Sequence, residues 1–209
     1  MFHSALVMQD DQTESYWAII QSLAIGGEKQ GRKLRELPIS EKMTWSEWVA
    51  KQPGTLVLSV NGETHVESEP YANYFSSDKV FKPIVKPDDR LQPKTSIYTF
   101  TWNQTPFAIP HSAIFEGWKG KAGKDPIFVY RKEGESLYRS TRAWLLSHEG
   151  KKVKLKKKGQ DWQSEKWGAF NPNTGSFEKS GVKLKPLGGW DTFWYIWSQY
   201  NEGGNLLKP

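Results

Sequence analysis

Thr44-Trp45-Ser46-Glu47-Trp48 recurs as Phe193-Trp194-Tyr195-Ile196-Trp197, and these two tryptophan pairs close two copies of an internal repeat. Trp17, Gly31, Leu34 and Leu37 each match an identical residue 150 positions later, at Trp167, Gly181, Leu184 and Leu187. The register then slips by one, so Trp45 and Trp48 match Trp194 and Trp197 at an offset of 149. Apolar residues follow both pairs, Leu56 to Leu58 and Leu206 to Leu207. A unit of this length lets the second copy begin near Lys86, and the first copy is then expected to be cut short at its front. The expected division is an incomplete half over 1–85 and a complete half over 86–209, packed together as one globular unit.

Working outward from the first pair, Thr44 and Glu47 have the spacing of a capping box, in which each side chain satisfies the other's backbone donor. Trp45, Trp48 and Val49 then share one helix face, Pro53-Gly54 ends the helix, and residues 55–60 are expected to form a strand. Upstream, residues 2–8 read as an opening strand, Gln9 to Thr13 as a turn, Gly26-Gly27 as another, and Gly31 to Leu37 as a short strand. From about Glu63 to Leu91 prolines punctuate a polar, aromatic-bearing connection. Residues 95–102 and 106–110 predict a hairpin, with Pro106 at an edge or strand start. Further strands are expected over 127–130, 136–146, 162–170 and 176–184, and a tryptophan-rich helix over 191–200. The fold class is α+β, predominantly antiparallel, with a few short helices.

Composition narrows the chemistry. Eleven tryptophans, eight tyrosines and ten phenylalanines in 209 residues supply a heavy aromatic core. The absence of cysteine excludes disulfides, thiolate nucleophiles and cysteine metal cages. The formal charge is +6, but six lysines lie between Lys151 and Lys158 and account for all of it, so the basic character is local and nucleic acid is not an expected partner. Val153 and Leu155 alternate with lysines there, as on a strand whose charged face discourages edge-to-edge pairing. The apolar run at the N-terminus is too short for a signal peptide or a spanning helix, so as written the chain reads as soluble and cytoplasmic.

Candidate site residues are few. Asp11, Thr13, Ser15 and Trp17 alternate and could share one strand face that holds a small polar ligand. The second copy has Asp161, Gln163, Glu165 and Trp167, so only the tryptophan is common and it reads as structural. Of the four histidines, none has helical metal spacing, and His111, after Pro110, is the candidate base or ligand. Gly117 to Lys124 lacks both the spacing and the following hydroxyl of a phosphate loop, and Pro126 forbids the helix such a loop needs. No Gly-x-Ser-x-Gly elbow occurs. Trp118, with Trp102, Trp144, Trp162 and Trp190, lies outside the repeat pairs and could line a groove that stacks on rings. No cofactor or metal is implied. The preferred reading is a non-enzymatic binding or interaction module for a small molecule or protein. The alternative is an enzyme using Asp11, His111 or the segment from Glu69 to Tyr74, which carries Tyr71 and Tyr74.

Three motifs carry a resemblance. His3-Ser4-Ala5-Leu6-Val7-Met8 runs into Asp11-Gln12-Thr13-Glu14-Ser15-Tyr16-Trp17; Thr44 to Trp48 precedes Pro53-Gly54-Thr55-Leu56-Val57-Leu58; and Glu69-Pro70-Tyr71-Ala72-Asn73-Tyr74 follows. With Pro106 to Pro110 and Thr192-Phe193-Trp194 in the second half, nearly the whole chain resembles the domain-of-unknown-function family 3179 of bacteria and archaea. The resemblance implies the fold and no activity. Members of that family commonly carry an upstream half-unit with a cysteine-containing segment, and often an export signal. Against them this chain reads as shortened at the N-terminus, and its first strand is expected to expose an edge that a second copy could cover in a homodimer.

Overall fold

The computed structural model describes residues 5–35, 42–57, 59, 71–81, 83–132 and 141–208. The chain opens with an antiparallel meander of β1 (Val7–Gln9), β2 (Tyr16–Ala18) and β3 (Leu23–Gly26), and a bridge from Leu23 to Lys33 carries the chain back alongside β3. Helix α1 (Trp45–Lys51) has the capping box that its sequence predicts, with Thr44 Oγ1 accepting from Glu47 N–H and the Glu47 carboxylate accepting from Thr44 N–H. The short helix α2 (Ala72–Phe75) lies in the proline-punctuated connection.

The second half begins with the hairpin of β4 (Ser96–Trp102) and β5 (Thr105–Pro110), after which α3 (His111–Ile114) turns the chain. Asn103 and Gln104 form a two-residue turn with φ of 48° and 63°, the mirror-image turn whose twist matches paired strands. A three-stranded antiparallel sheet follows, of β6 (Trp118–Ala122), β7 (Asp125–Tyr130) and β8 (Arg142–Leu145). Next come a small hairpin of β9 (Ser147–His148) and β10 (Lys151–Lys152), and a second meander of β11 (Lys156–Lys158), β12 (Asp161–Ser164), β13 (Gly168–Asn171) and β14 (Ser176–Phe177). Finally β15 (Gly189–Phe193), α4 (Trp194–Tyr200) and β16 (Asn205–Leu206) return to the first hairpin, giving a central sheet ordered β15-β4-β5-β16 with β16 parallel to β5. Pro106 pairs with Thr101 and lies one residue before Phe107, where the pairing of β5 with β16 begins, so its missing N–H interrupts no bond to that strand. The protein is α+β with mostly antiparallel sheets.

Alternation along β7 explains the layering. Ile127 and Val129 face one core with Tyr98, Phe100 and Ile109 of the central sheet, whereas Phe128 faces another with Trp144, Trp162 and Phe170. The β6-β7-β8 sheet is therefore buried on both faces, which its short apolar run requires. On the far side of the central sheet, Trp194 and Trp197 of α4 cover Ile97 and Ala108. Helix α4 also meets N-terminal residues, where Val85 N–H donates to Gln199 Oε1 at 2.9 Å and where α4 packs on a 3-10 turn at Ile19–Gln21.

Two meanders each end in a bridge, Leu23 to Lys33 and Ser176 to Lys183, and a seven-residue helix follows each later in the chain. Gly31 at φ +82° and Gly181 at φ +63° occupy the same left-handed position, which glycine adopts without steric cost. Burial, however, is unequal. Trp194 and Trp197 are each 1% exposed, but Trp45 and Trp48 are 55% and 36% exposed.

Several sequence expectations need correction. The final helix begins at Trp194 because Asp191 to Phe193 pair with β4, where strand bonds replace helical ones. The lysine block is two short strands, with Val153 and Leu155 between them in the core. Residues 162–170 form a hairpin of two strands rather than one strand. Residues 55–57 have no strand pairing, and residues 58 and 60 lie outside the described residues, as do 2–4, 36–37 and 136–140 of other expected strands.

Candidate functional site

Pro110 closes β5 in an extended conformation, φ −62° and ψ 142°, and α3 starts at once with His111. That turn places the imidazole, only 6% exposed, at the end of the central sheet. Two strands away, Asp191 of β15 sits opposite Tyr98, and Phe193 opposite Ser96, so alternation puts these side chains on one face. His111 Nε2 lies 2.8 Å from Asp191 Oδ1. Thr141 Oγ1 donates to the same oxygen at 2.6 Å, and Thr141 N–H donates to Oδ2 at 3.3 Å. Arg131, buried, stands behind at 3.8 Å from Oδ1 and donates to Thr141 Oγ1 at 3.2 Å.

The carboxylate is thereby held ionised. Burial, the largest influence, pushes Asp191 up. The hydrogen bond from His111, its charge when protonated, the Thr141 hydroxyl and the Arg131 guanidinium outweigh it and leave the carboxyl below its usual value. An ionised carboxylate only accepts, so Nε2 carries the proton and Nδ1 remains the second functional atom of the ring.

This pair borders a cavity of about 150 Å³, lined also by Lys42, Phe75, Ser96, Thr192 and Phe193. An aromatic wall continues outward. Phe75 and Phe193 have ring centroids 6.0 Å apart, Tyr74 stacks on Phe81 at 4.2 Å, and Tyr71 meets Phe81 edge-on at 6.4 Å. Lys94 lies 3.9 Å over the Tyr74 ring and donates to the carbonyls of Tyr74 and Ser77. Tyr74 shares a 2.7 Å hydrogen bond with the Tyr195 hydroxyl, whose pKa burial and that bond both raise. Of the candidate residues, the fold thus gathers Tyr71, Tyr74 and His111 into one neighbourhood.

The family model described as Protein of unknown function (DUF3179) matches residues 1–204. The chain belongs to that family. No curated protein and no solved structure matches it. Any functional reading of this DUF3179 chain therefore starts from its own geometry.

The remaining candidates lie elsewhere in the DUF3179 fold. Asp11 and Thr13 are in the turn between β1 and β2, not on a strand face, and Asp11 is exposed. The turn is organised by Asp10, which accepts from Trp17 Nε1–H at 2.8 Å and from the N–H and hydroxyl of Thr13 at 2.6 and 2.8 Å. Those bonds, Trp17 foremost, lower the Asp10 pKa to about 2. Ser15 is buried and its Oγ accepts from Lys29 N–H at 3.0 Å. Trp118 lies in β6 with its ring packed over Gly120, where a Cβ would come within 2.0 Å of it. Gly117 to Lys124 is the β6 strand and its hairpin turn. Trp102, Trp144 and Trp162 each donate an indole N–H, to Asp125, Pro172 O and Glu116 O respectively, and pack in or against the cores. His3, His65 and Glu69 lie outside the described residues. Among the described residues no histidine and acidic cluster could hold a metal, and no helix is long and apolar enough to cross a membrane.

Asp191, Thr141, Ser96, Phe75 and Phe193 were not readable as site residues. Gly189-Trp190-Asp191-Thr192-Phe193 has no period-two alternation, since its aromatics stand three apart, and the strand carrying Asp191 is set by its pairing with β4.

Proposed function

We propose that this protein is a non-enzymatic binding module that seats a small polar ligand between the His111–Asp191 pair and the Phe75–Phe193 wall. One observation carries the reading. The polar floor is braced from behind by Thr141 and Arg131, and His111 lines the cavity with one ring nitrogen that bonds no other group among the described residues. A floor fixed by buried hydrogen bonds under an aromatic wall is what orients a ligand. The cavity is below the roughly 300–1,000 Å³ of ordinary ligand pockets. The ligand is therefore small, or inserts one end while the rest lies on the outer rings of Tyr71 and Phe81, which are exposed.

The competing reading, an enzyme with a histidine base, draws on Ser96 in the same cavity. Ser96 makes no hydrogen bond to the His111 ring, whose Nε2 is turned to the carboxylate, so the nucleophile–base contact that hydrolysis needs is not assembled. The interaction side of the proposal includes a homodimer through β1, the outer strand of its sheet, beside which Leu6 and Met8 are exposed.

Saturation-transfer NMR with a set of small planar amides, amines and alcohols tests the binding reading. We expect hits that are lost in Phe75→Ala and in His111→Gln. Hits that bind both variants undiminished, or an ester substrate whose turnover vanishes in His111→Gln, would replace it.

A further inference from the structure

The Phe75–Phe193 wall continues onto the surface as a platform of rings. Tyr71 and Phe75 stand four residues apart across the α2 turn and therefore on one side of it, with ring centroids 6.4 Å apart. Phe81 meets the Tyr71 ring edge-on at 6.4 Å. All three side chains are exposed. Exposed aromatics scattered singly are ordinary, whereas three in contact that lead out of a cavity mark a binding surface. The platform is also held in place. Lys94 donates to the Tyr74 and Ser77 carbonyls, and the Tyr74 and Tyr195 hydroxyls share a hydrogen bond, so segment 71–81 is tied to the body before a ligand arrives.

The inner end of this surface offers hydroxyl chemistry. Ser96 pairs with Phe193 on one side, and Ile97 pairs with Pro110 on the other, so His111 follows beside Ser96 in the sheet. The Ser96 hydroxyl makes no hydrogen bond among the described residues and can donate or accept. With Nε2 donating to Asp191, the neutral imidazole presents Nδ1 as an acceptor. Ligand hydroxyls satisfy both groups, whereas an ammonium cannot accept and a carboxylate cannot donate. Charge points the same way. Asp191 faces Arg131 at 3.8 Å, Lys94 is spent on carbonyls, and Lys42 has a partner of its own. An ionic ligand would therefore shed its water in the cavity without gaining an uncommitted counter-charge.

We infer, resting on the binding reading above, that the ligand is the end of a neutral saccharide chain. Hydroxyls of the terminal sugar bond His111 Nδ1 and Ser96, its C–H face lies against Phe75 and Phe193, and the following units lie on Tyr71 and Phe81. A cavity of about 150 Å³ takes one ring rather than a chain, which leaves the rest of the ligand to the platform. Saturated rings that carry many hydroxyls and no charge meet all of these requirements together. Aromatic faces hold their C–H sides without demanding a particular pattern of hydrogen bonds.

The test is titration of the full chain, followed by saturation-transfer NMR, with cellotetraose, maltotetraose and chitotetraose, their monosaccharides, tetragalacturonic acid and benzamide. The variants are Tyr71→Ala and, as a control, Tyr16→Ala on β2; both side chains are exposed, so neither change threatens folding. At least one neutral tetrasaccharide is expected to bind at least about tenfold more tightly than its monosaccharide, and to lose at least about fivefold in Tyr71→Ala with Tyr16→Ala unchanged. Absence of saturation by all three up to about 10 mM, with benzamide still binding, overturns the saccharide inference and leaves the binding reading standing. If benzamide also fails to bind, both fall. Tetragalacturonic acid binding as tightly as the neutral chains overturns the inference on charge. Equal affinity for a tetrasaccharide and its monosaccharide, or an undiminished Tyr71→Ala, overturns it on the platform.

Discussion

Replacing Asp191 by Asn tests whether the polar floor under His111 is as tightly coupled as its distances imply. The substitution keeps shape and removes one charge. Arg131 and Asp191 are 2% and 7% exposed and 3.8 Å apart, which at an effective dielectric of about 20 corresponds to about 4 kcal/mol of attraction. The new amide also sets an NH₂ group against a Thr141 donor, and an unmet buried donor costs about 1–3 kcal/mol. Relaxation of the pocket recovers part of this, so the expected loss is about 3–5 kcal/mol, the range for breaking a buried ion pair from one side. The assay is equilibrium unfolding in urea, repeated between pH 3 and 7. Folded Asp191 has a pKa below its ordinary 3.8. The unfolded chain therefore takes up the proton first as pH falls, and the stabilisation is full above the unfolded pKa and lost through the folded one. The wild-type advantage over Asp191→Asn should be constant near neutrality and shrink in acid. A variant within about 1 kcal/mol of wild type at pH 7, or a gap that widens in acid, would refute the coupling.

Three further outcomes are expected. Trp194→Ala should cost about 3–5 kcal/mol, as large aromatic deletions in cores do, whereas Trp45→Ala at the equivalent repeat position should cost under about 1 kcal/mol; urea midpoints compare them. Gln104→Gly should raise stability by about 0.5–1 kcal/mol, because Gln104 holds φ 63° in the β4–β5 turn where glycine avoids a Cβ penalty; an unchanged melting curve would count against strain there. The Asp10 carboxyl should titrate near 2 by carbon NMR, with the Trp17 indole proton shifting at the same midpoint; stability from this turn is present above the ordinary carboxyl value and is lost as pH falls through the lowered one.

The parts of the fold that were legible had local causes. Thr44 and Glu47 announced α1 because a capping box is satisfied within four residues, and the β4–β5 hairpin was visible because its turn lies between two strand-like runs. The meander of residues 161–177 was half-legible, since its Asn171 to Gly175 turn carries a sequence signature but its tight return at Glu165 to Trp167 does not. The start of α4 was misplaced by three residues because partners nearly a hundred positions upstream decide it, and no local propensity reports them. The same reason hid the site. His111 could be singled out as a histidine after a strand-ending proline, but Asp191, Thr141 and Arg131 meet it only through sheet register and through packing of one sheet on another. The spacing that relates Trp45 and Trp48 to Trp194 and Trp197 does not tell that only the latter pair is buried, since burial depends on what lies against the face.

The order of strands in the central sheet sets a schedule for biosynthesis. Its inner hairpin, β4 and β5, is made first, and both outer strands come later, from residues 189–206. At translation rates of about 5–20 residues per second, roughly 4–16 seconds separate the emergence of Pro110 from that of Gly189. Throughout that interval the hairpin offers hydrogen-bonding edges on both sides and an uncovered Ile97–Ala108 face. The nascent chain is therefore most vulnerable just before residues 189–206 emerge, and ribosome-bound chains stalled before Gly189 should be the ones that holding chaperones retain.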